Sequence, residues 1–211
     1  MHILYGATGS GSAAIEAGLT LCDLPYRVVN AATWEPASAL AELAQANPLQ
    51  QIPTLVLPEG GAVLTESAAI LIHLGLAHPA SGLLPATPLA RGQAIRGLVF
   101  IAANCYAAIG VIDYPERWSA DATEPMKERI RRGARARLHR YWEVFADTFP
   151  APDGFYGGAA PGGLDLLAAV VSRWSGARAH VRAERPAFSA LLERIDAHPR
   201  LAPVFARHWP G

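Results

Sequence analysis

The sequence NPLQQIPTLVLPEGGAVLTES at residues 47–67 decides how the first part of the chain folds. Two short apolar runs, residues 54–57 and 62–64, lie on either side of Pro58-Glu-Gly-Gly61, which has the composition of a tight turn. This pattern predicts a β-hairpin. A helical pattern follows directly over residues 66–77, with Thr65 and Ser67 as candidate caps.

The residues before this hairpin predict two strands that alternate with helices. In chain order the segments are a strand (2–5), a Gly- and Ser-rich loop (6–11), a helix (12–24), a strand (26–29) and a helix (36–46). The first two strands would be parallel and joined by a right-handed crossover. The predicted order over residues 1–78 is therefore β-α-β-α-β-β-α.

The character of the sequence changes after His78. Residues 79–88 are rich in Pro, Ser and Gly and read as a linker, and only helical patterns follow it. The predicted helices are residues 89–112, 124–149, 164–178 and 186–197, with a short one after Pro199. We therefore expect a fold of α/β plus all-α class, with a helical-bundle domain over residues 89–211.

Composition excludes several kinds of partner. The 18 basic and 18 acidic residues cancel, so no net field attracts nucleic acid. The first ten residues lack a secretory pattern, and no uninterrupted apolar run reaches the roughly 18 residues of a membrane span, so we expect a cytoplasmic protein without a membrane partner. Cys22 and Cys105 are far apart and belong to no metal-binding motif, which predicts inert thiols and no metal site.

This plan, together with three motifs, resembles the cytosolic glutathione transferases over nearly the whole chain. The motifs are the loop at residues 5–12, the stretch at residues 47–54, and the pair Glu66-Ser67. The resemblance implies a thioredoxin-like N-terminal domain that binds glutathione as co-substrate. It also implies a helical domain that forms the pocket for a second, hydrophobic and electrophilic substrate.

The resemblance assigns the glutathione contacts residue by residue. Pro53 corresponds to the family's cis proline, which leaves the N–H and C=O of Ile52 free to pair with the cysteinyl unit. Ser67 would hold the γ-glutamyl carboxylate at a helix N-terminus, Glu66 would meet the ammonium group, and Gln51 would add a side-chain amide. The same residues also have ordinary structural interpretations, with Pro53 ending a loop and Ser67 capping a helix.

A glutathione transferase must lower the pKa of the glutathione thiol, since the thiolate is the nucleophile. A hydroxyl that donates a hydrogen bond to the sulfur favours the thiolate. Ser10 is the first candidate for this donor, because it falls where bacterial beta-type members carry a cysteine. Ser12 is the second, although it also looks like an N-cap, and Tyr5 is the third; a site built only from backbone groups is the remaining alternative.

The helical domain contributes the predicted second-substrate pocket near Asn104, Tyr106 and residues 109–118, which include the candidates Arg117 and Trp118. Asp165 matches an aspartate that family members carry early in a central helix, with Gly162 at the N-cap position. We interpret Asp165 as a stabilising residue that takes no part in catalysis.

The expected function is that of a glutathione transferase, of the kind used in detoxification and assembled as a homodimer. Residues 6–12 contain no cysteine, so exchange of mixed disulfides is not expected. One alternative is a non-catalytic binding or assembly module with the same fold. A lesser alternative is a zeta-like isomerase, although residues 8–12 lack the Ser-Ser-Cys turn of that class.

Overall fold

Four strands form one mixed sheet in the order β2-β1-β3-β4 in the computed structural model of the chain, which describes residues 1–151 and 154–210. The strands are β1 (His2–Gly6), β2 (Tyr26–Asn30), β3 (Thr54–Val56) and β4 (Val63–Leu64). β1 pairs in parallel with β2, with His2 opposite Tyr26, and antiparallel with β3, with Leu4 opposite Leu55. β3 and β4 form the predicted hairpin.

Three helices complete the N-terminal region: α1 (Ser12–Leu21), α2 (Leu40–Ala46) and α3 (Ser67–Ala77). Alternate residues of β1 enter different apolar clusters, as the two-residue period of a strand requires. Leu4 packs into the large core together with Ile15 of α1, whereas Tyr5 joins a small cluster with Leu43 of α2. The predicted β-α-β-α-β-β-α order, and with it the thioredoxin-like arrangement, is confirmed.

Apart from one isolated β-bridge between Phe155 and Gly158, the regular elements in the rest of the described chain are helices. They are α4 (Pro88–Phe100), a π-helical turn (Ile101–Tyr106), α5 (Ala107–Asp113), α6 (Glu124–Thr148), α7 (Gly163–Val171), α8 (Ala177–Glu184), α9 (Pro186–Asp196) and α10 (Ala202–His208). Every residue of α7 is buried, and this helix packs against α1, α4 and α9. The core is therefore continuous from the sheet-containing region into the helical bundle.

The stretch Pro88–Asp113 is a continuous run of 26 helical residues. By length and composition it is apolar enough to cross a membrane, although Arg91 and Arg96 interrupt its apolar residues. Leu98, Ile101 and Cys105 of this stretch are buried in the common core. Packing inside the bundle therefore accounts for part of its apolar composition, since 39% of its most apolar window is buried.

Three predicted helix boundaries are wrong. The helix expected over residues 164–178 is two helices, because Ser175 and Gly176 have positive φ angles of 57° and 77° and turn the chain before α8. α1 stops at Leu21 because Asp23 also has a positive φ, of 54°. α2 begins only at Leu40, after an irregular segment that includes residues 36–39.

Asp165 stabilises the start of α7. Its carboxylate is fully buried and accepts hydrogen bonds from the backbone N–H groups of Tyr156 (2.9 Å), Gly157 (2.9 Å) and Gly162 (2.8 Å). A buried carboxylate with three such donors fixes the preceding loop to the helix. This arrangement agrees with the structural role expected for Asp165, with Gly162 at the N-cap.

Both cysteines have the surroundings of inert thiols. Cys105 is buried and Cys22 is partly buried, and neither forms a disulfide. Burial raises the pKa of both thiols, which keeps them protonated. Among the described residues, no cluster of His, Cys, Asp and Glu has the arrangement of a metal site.

Candidate functional site

A cavity of about 900 Å³ lies between the N-terminal domain and the helical domain. One wall is formed by residues 9–11 before α1, residues 49–53 before β3 and residues 65–68 at the start of α3. The opposite wall is formed by the π-helical turn, α5 and the segment that follows it. The cavity therefore brings together the three sequence motifs and the predicted second-substrate region.

Two buried polar side chains hold the loop before β3 in place by hydrogen bonds. Asn47 donates from Nδ2 to the Gln51 carbonyl oxygen (3.0 Å) and to Thr54 Oγ1 (3.0 Å), and the Thr54 hydroxyl donates to the same carbonyl (2.8 Å). Both side chains are almost completely shielded from solvent. They fix the backbone of residues 51–54, on which the orientation of Ile52 depends.

Ile52 presents unpaired backbone groups at the cavity. The Ile52–Pro53 peptide bond is cis, and both residues line the cavity. Neither the N–H nor the C=O of Ile52 makes a hydrogen bond with any residue that the structure describes. An extended ligand backbone can pair with such groups as an added strand does. Gln51 lines the cavity beside them with an exposed side chain.

The N-terminus of α3 opens into the same cavity. Neither Thr65 nor Ser67 caps the helix as predicted; Glu66 precedes it in a left-handed conformation with φ of 65°, and no side chain accepts a hydrogen bond from the first turn. Glu66 and Ser67 both line the cavity. Free N–H groups and the positive end of the helix dipole suit this end for a carboxylate.

The loop before α1 contains two serines, of which one reaches the cavity. Ser10 lines the cavity, and its hydroxyl donates to the Ala7 carbonyl oxygen (2.8 Å). Ser12 is fully buried behind it, with its hydroxyl 2.9 Å from that of Ser10. Ser12 lies outside the cavity lining because Ser10 and Gly11 separate it from the open space.

Tyr5 points away from the cavity. Its ring lies in the cluster beneath α2, and its hydroxyl donates to Glu42 Oε1 at 2.6 Å. Burial, followed by the hydrogen bond and charge of Glu42, raises the pKa of this phenol. The two-residue period of β1 directs Tyr5 to the face opposite α1, so the structure removes it from the candidate thiol donors.

A residue of the helical domain holds the loop before α1 in place. His208 of α10 is buried, accepts at Nδ1 from the Gly9 N–H (3.1 Å) and lies 2.6 Å from Glu16 Oε1 through Nε2. Arg207 also contacts Glu16, at 3.1 Å. Burial disfavours the Glu16 carboxylate, but hydrogen bonds and charges from His208 and Arg207 outweigh it, so the pKa of Glu16 lies below its ordinary value.

The helical wall is aromatic. Tyr106 lines the cavity with its ring against Trp174, at a centroid distance of 5.7 Å. Trp118 and Arg117 lie at the open rim, where the Arg117 guanidinium lies 4.0 Å from the centre of the Tyr114 ring. A wall of this composition suits an apolar or planar ligand.

Asn104 does not face this cavity, and its prediction as a lining residue is wrong. Its side chain donates to the Phe100 carbonyl oxygen (3.0 Å) within its own helix and borders a second hollow of about 420 Å³. Two positions along a helix separate opposite sides, so Asn104 and Tyr106 face different spaces.

Several lining residues were missed by sequence reasoning. Trp34 and Leu40 come from the irregular segment and the start of α2, and Trp174 comes from the turn before α8, whereas Asp113 and Tyr114 lie inside the predicted pocket segment 109–118. Only the tryptophans carried a signal, because aromatic residues are enriched in binding interfaces. The break after α7 that brings Trp174 to the cavity has a signal only in Gly176.

The comparisons with known proteins agree with this architecture. Residues 13–76 match the model described as "Glutathione S-transferase, N-terminal domain". The solved structure of a glutathione transferase homologue from Sulfitobacter, with bound glutathione, superposes with a TM-score of 0.81 at 22% sequence identity and covers 97% of this chain and 96% of that one. At this identity the likeness concerns the fold.

Two curated proteins match shorter segments. The chain is 40% identical to the uncharacterized GST-like protein YncG of Escherichia coli (strain K12) over 129 residues, which are 60% of this chain and 62% of that protein. It is 38% identical to a probable maleylacetoacetate isomerase of Caenorhabditis elegans over 94 residues, 44% of this chain and 42% of that protein. The aligned segments thus span less than two thirds of either relative.

Proposed function

We propose that the chain is a glutathione S-transferase that binds glutathione in the cavity described above and ionises the thiol for attack on a hydrophobic electrophile. The observation that carries the proposal is the pairing of two unoccupied recognition features in one cavity. These are the free N–H and C=O of Ile52 and the open N-terminus of α3 at Ser67.

Glutathione fits these features in one orientation. The cysteinyl backbone pairs with Ile52, and the γ-glutamyl carboxylate receives the Ser67 hydroxyl and N–H. Glu66 meets the ammonium group of the same unit, and the Gln51 amide contacts the tripeptide backbone. This orientation leaves the cysteinyl sulfur close to residues 10–11, at the N-terminus of α1.

Ionisation of the thiol is favoured at that position. The N-terminus of a helix carries the positive end of its dipole, which lowers the pKa of a thiol placed against it. Ser10 lies in the same loop, although its hydroxyl already donates to Ala7. The thiolate then attacks an electrophile held against the aromatic wall, near Tyr106, Arg117 and Trp118.

Glutathione affinity in matched variants tests the proposal. Ser67→Ala removes a hydrogen bond to a charged group, and such bonds contribute about 1.5–3 kcal/mol, so calorimetry is expected to show binding weaker by about 10- to 100-fold. Ser189→Ala removes a comparable partly shielded hydroxyl on α9, outside the cavity, and is expected to bind as the parent does. Equal affinity in the parent and Ser67→Ala contradicts the proposed orientation.

An isomerase is a second candidate, favoured by the 38% identity to the probable maleylacetoacetate isomerase. Glutathione-dependent isomerisation uses the same thiolate as conjugation. The two activities therefore differ in the substrate that the protein turns over. An assay with maleylacetoacetate in the presence of glutathione distinguishes them: turnover of this compound without conjugation of aryl halides supports the isomerase.

A non-catalytic glutathione-binding module is a third candidate, favoured by the engagement of the Ser10 hydroxyl with Ala7. Such a module binds glutathione without lowering the pKa of its thiol. The ultraviolet absorbance of the thiolate, followed across the neutral pH range in the complex, separates this candidate from an enzyme.

The proposal extends to a cytoplasmic homodimer with a role in detoxification. Leu76 on α3 and Val99 on α4 are exposed apolar side chains that an interface between the N-terminal domain of one subunit and the helical domain of another would cover. Light scattering coupled to size-exclusion chromatography is expected to give twice the mass of the chain, and the mass of a single chain contradicts this part of the proposal.

A further inference from the structure

Tyr106 occupies a special position in the long helix between the domains. It ends the π-helical turn Ile101–Tyr106, which interrupts the α-helical hydrogen bonding between α4 and α5. Such turns are frequent at functional sites because they rotate the side chains that follow. Trp174 packs against the Tyr106 ring at a centroid distance of 5.7 Å and holds it toward the N-terminal domain.

The hydroxyl group of Tyr106 lies directly over the start of α1. A Cβ atom added to Gly11 would collide with the Tyr106 hydroxyl oxygen and would lie 3.3 Å from Cζ of the same ring and 3.6 Å from Cδ of Pro53. Glycine at position 11 is what permits this approach. The hydroxyl thus lies against the α1 N-terminus, with the cis proline close by, where the proposed orientation of glutathione places the sulfur.

Tyr106 has a hydrogen to donate, in contrast to Ser10. No described residue forms a hydrogen bond with the Tyr106 hydroxyl, whereas the Ser10 hydroxyl donates to the Ala7 carbonyl oxygen at 2.8 Å. The Ser10 oxygen also accepts from the backbone N–H of Ala7 (3.3 Å) and Ser12 (3.2 Å). Ser10 is therefore bound into the fold of its own loop.

We propose that Tyr106, a residue of the helical domain, donates the hydrogen bond that stabilises the glutathione thiolate, and that Ser10 instead shapes the loop. The proposal rests on the proposed function and assigns its thiol donor. On ionisation the S–H bond breaks, its electron pair stays on sulfur, and its proton leaves to solvent water. Tyr106 keeps its own proton and shares it with the sulfur through the hydrogen bond.

The surroundings of Tyr106 keep it protonated. Burial, followed by the negative charges of Glu66 and Asp113, raises the pKa of the phenol to about 12. The group is therefore a hydrogen-bond donor and does not act as a base at neutral pH. The Gly11 N–H, which also has no partner among the described residues, adds a second donor at the same place.

Thiolate absorbance in the glutathione complex tests the assignment in four proteins: the parent, Tyr106→Phe, Ser10→Ala and Tyr141→Phe. Phenylalanine keeps the packing on Trp174 and removes only the hydroxyl. Tyr141 lies on α6 outside the cavity, and its hydroxyl accepts from Arg137, so it provides a matched control. Circular dichroism and thermal unfolding establish that each variant is folded.

The parent is expected to ionise bound glutathione below its free pKa. In Tyr106→Phe the pKa of the bound thiol rises by about 1 to 2, and kcat/KM with chlorodinitrobenzene falls by about 10- to 100-fold, as expected for loss of a hydrogen bond to a charged group. Glutathione affinity at low pH, where the thiol is protonated, changes little. Ser10→Ala and Tyr141→Phe keep the lowered pKa.

Three results overturn the assignment and are distinguishable. If the parent lowers the thiol pKa and Tyr106→Phe lowers it equally, the donor is another group while the proposed function stands. If the parent binds glutathione with an unshifted thiol, the enzymatic function itself fails. A lowered pKa that disappears in Ser10→Ala and persists in Tyr106→Phe returns the role to Ser10.

Discussion

The two walls of the cavity recognise ligands in different ways. The wall from the N-terminal domain presents mainly backbone groups, at Ile52 and at the start of α3, whereas the wall from the helical domain presents aromatic side chains, at Tyr106, Trp118 and Trp174. Backbone groups can bind one extended peptide in one register. Side chains on helices can change with little effect on the fold, so the second wall is the one suited to varied substrates.

Different contacts hold the two walls in place. The backbone wall depends on local contacts within residues 47–54, made by Asn47 and Thr54. The aromatic wall depends on the packing of the bundle, where Asp165 ties the loop before α7 to that central helix. Changes to the loop before α7 should therefore alter stability and the second wall, while the pairing of the glutathione backbone with Ile52 and Ser67 stays the same.

The largest expected effect comes from Asp165→Ala. The substitution leaves the buried N–H of Gly162 and the partly buried N–H groups of Tyr156 and Gly157 without their acceptor, so the free energy of unfolding is expected to fall by about 3 kcal/mol. Denaturant unfolding measures this loss of stability. Asp165→Asn keeps one acceptor oxygen, so its free energy of unfolding should fall by less.

The affinity of the folded Asp165→Ala protein for glutathione is expected to equal that of the parent. A large loss of affinity with unchanged stability would show that Asp165 serves the binding site, and that the two walls do not have separate supports.

The contact between the walls gives the next prediction. Gly11→Ala places a methyl group against the Tyr106 hydroxyl, and overpacking of this kind costs about 1–3 kcal/mol. Thermal or denaturant unfolding of the single and double variants forms a double-mutant cycle. Combining Gly11→Ala with Tyr106→Phe is expected to recover part of the loss, and additive effects would mean that the two residues do not touch.

Two exposed tryptophans, one for each wall, sharpen the comparison further. Trp34 and Trp118 both line the cavity and have exposed fractions of 60% and 65%. Trp118→Ala is expected to raise KM for an aromatic electrophile by about 5-fold, the effect of about 1 kcal/mol of lost apolar contact, and to leave KM for glutathione unchanged. Trp34→Ala should show the reverse pattern in steady-state kinetics, and identical patterns would remove the distinction between the walls.

The smallest effect concerns Glu16, which joins α1 to His208 and so to the loop before α1. Its pKa is lowered in the folded protein, so its contribution to stability is present above the ordinary Glu pKa and is lost as the pH falls through the lowered value. The stability difference between the parent and Glu16→Gln is expected to be about 1 kcal/mol or less at neutral pH and to vanish in acid. A difference that grows on acidification contradicts this sign.

The sequence predicts the residues of the backbone wall more fully than those of the aromatic wall, for a physical reason. The hairpin, the Ile52-Pro53 dipeptide and the start of α3 are local patterns of turn residues and apolar runs, and they lie where residues 47–67 predict them, although the predicted caps of α3 do not form. The orientation of a side chain across a domain boundary has no local pattern. Tyr106 is predicted only as a pocket wall because the π-helical turn, which aims its hydroxyl at Gly11, has no sequence signal.

The misplaced residues teach the same lesson. Tyr5 is close to the loop in sequence, but the alternation of side chains along β1 directs it toward α2. Ser12 is fully buried behind Ser10 and does not reach the cavity. Asn104 is close to Tyr106 in sequence but on another face of the helix. Proximity along the chain predicts the segment that contributes to a site, while the face that it presents depends on packing.

A crystal structure of the glutathione complex tests the account most directly, because one tripeptide would have to touch both walls. The predicted result is a cysteinyl backbone paired with Ile52, a γ-glutamyl carboxylate at Ser67, and a sulfur within hydrogen-bond distance of the Tyr106 hydroxyl. Glutathione bound elsewhere, or bound here with its sulfur turned away from Gly11 and Tyr106, would contradict it.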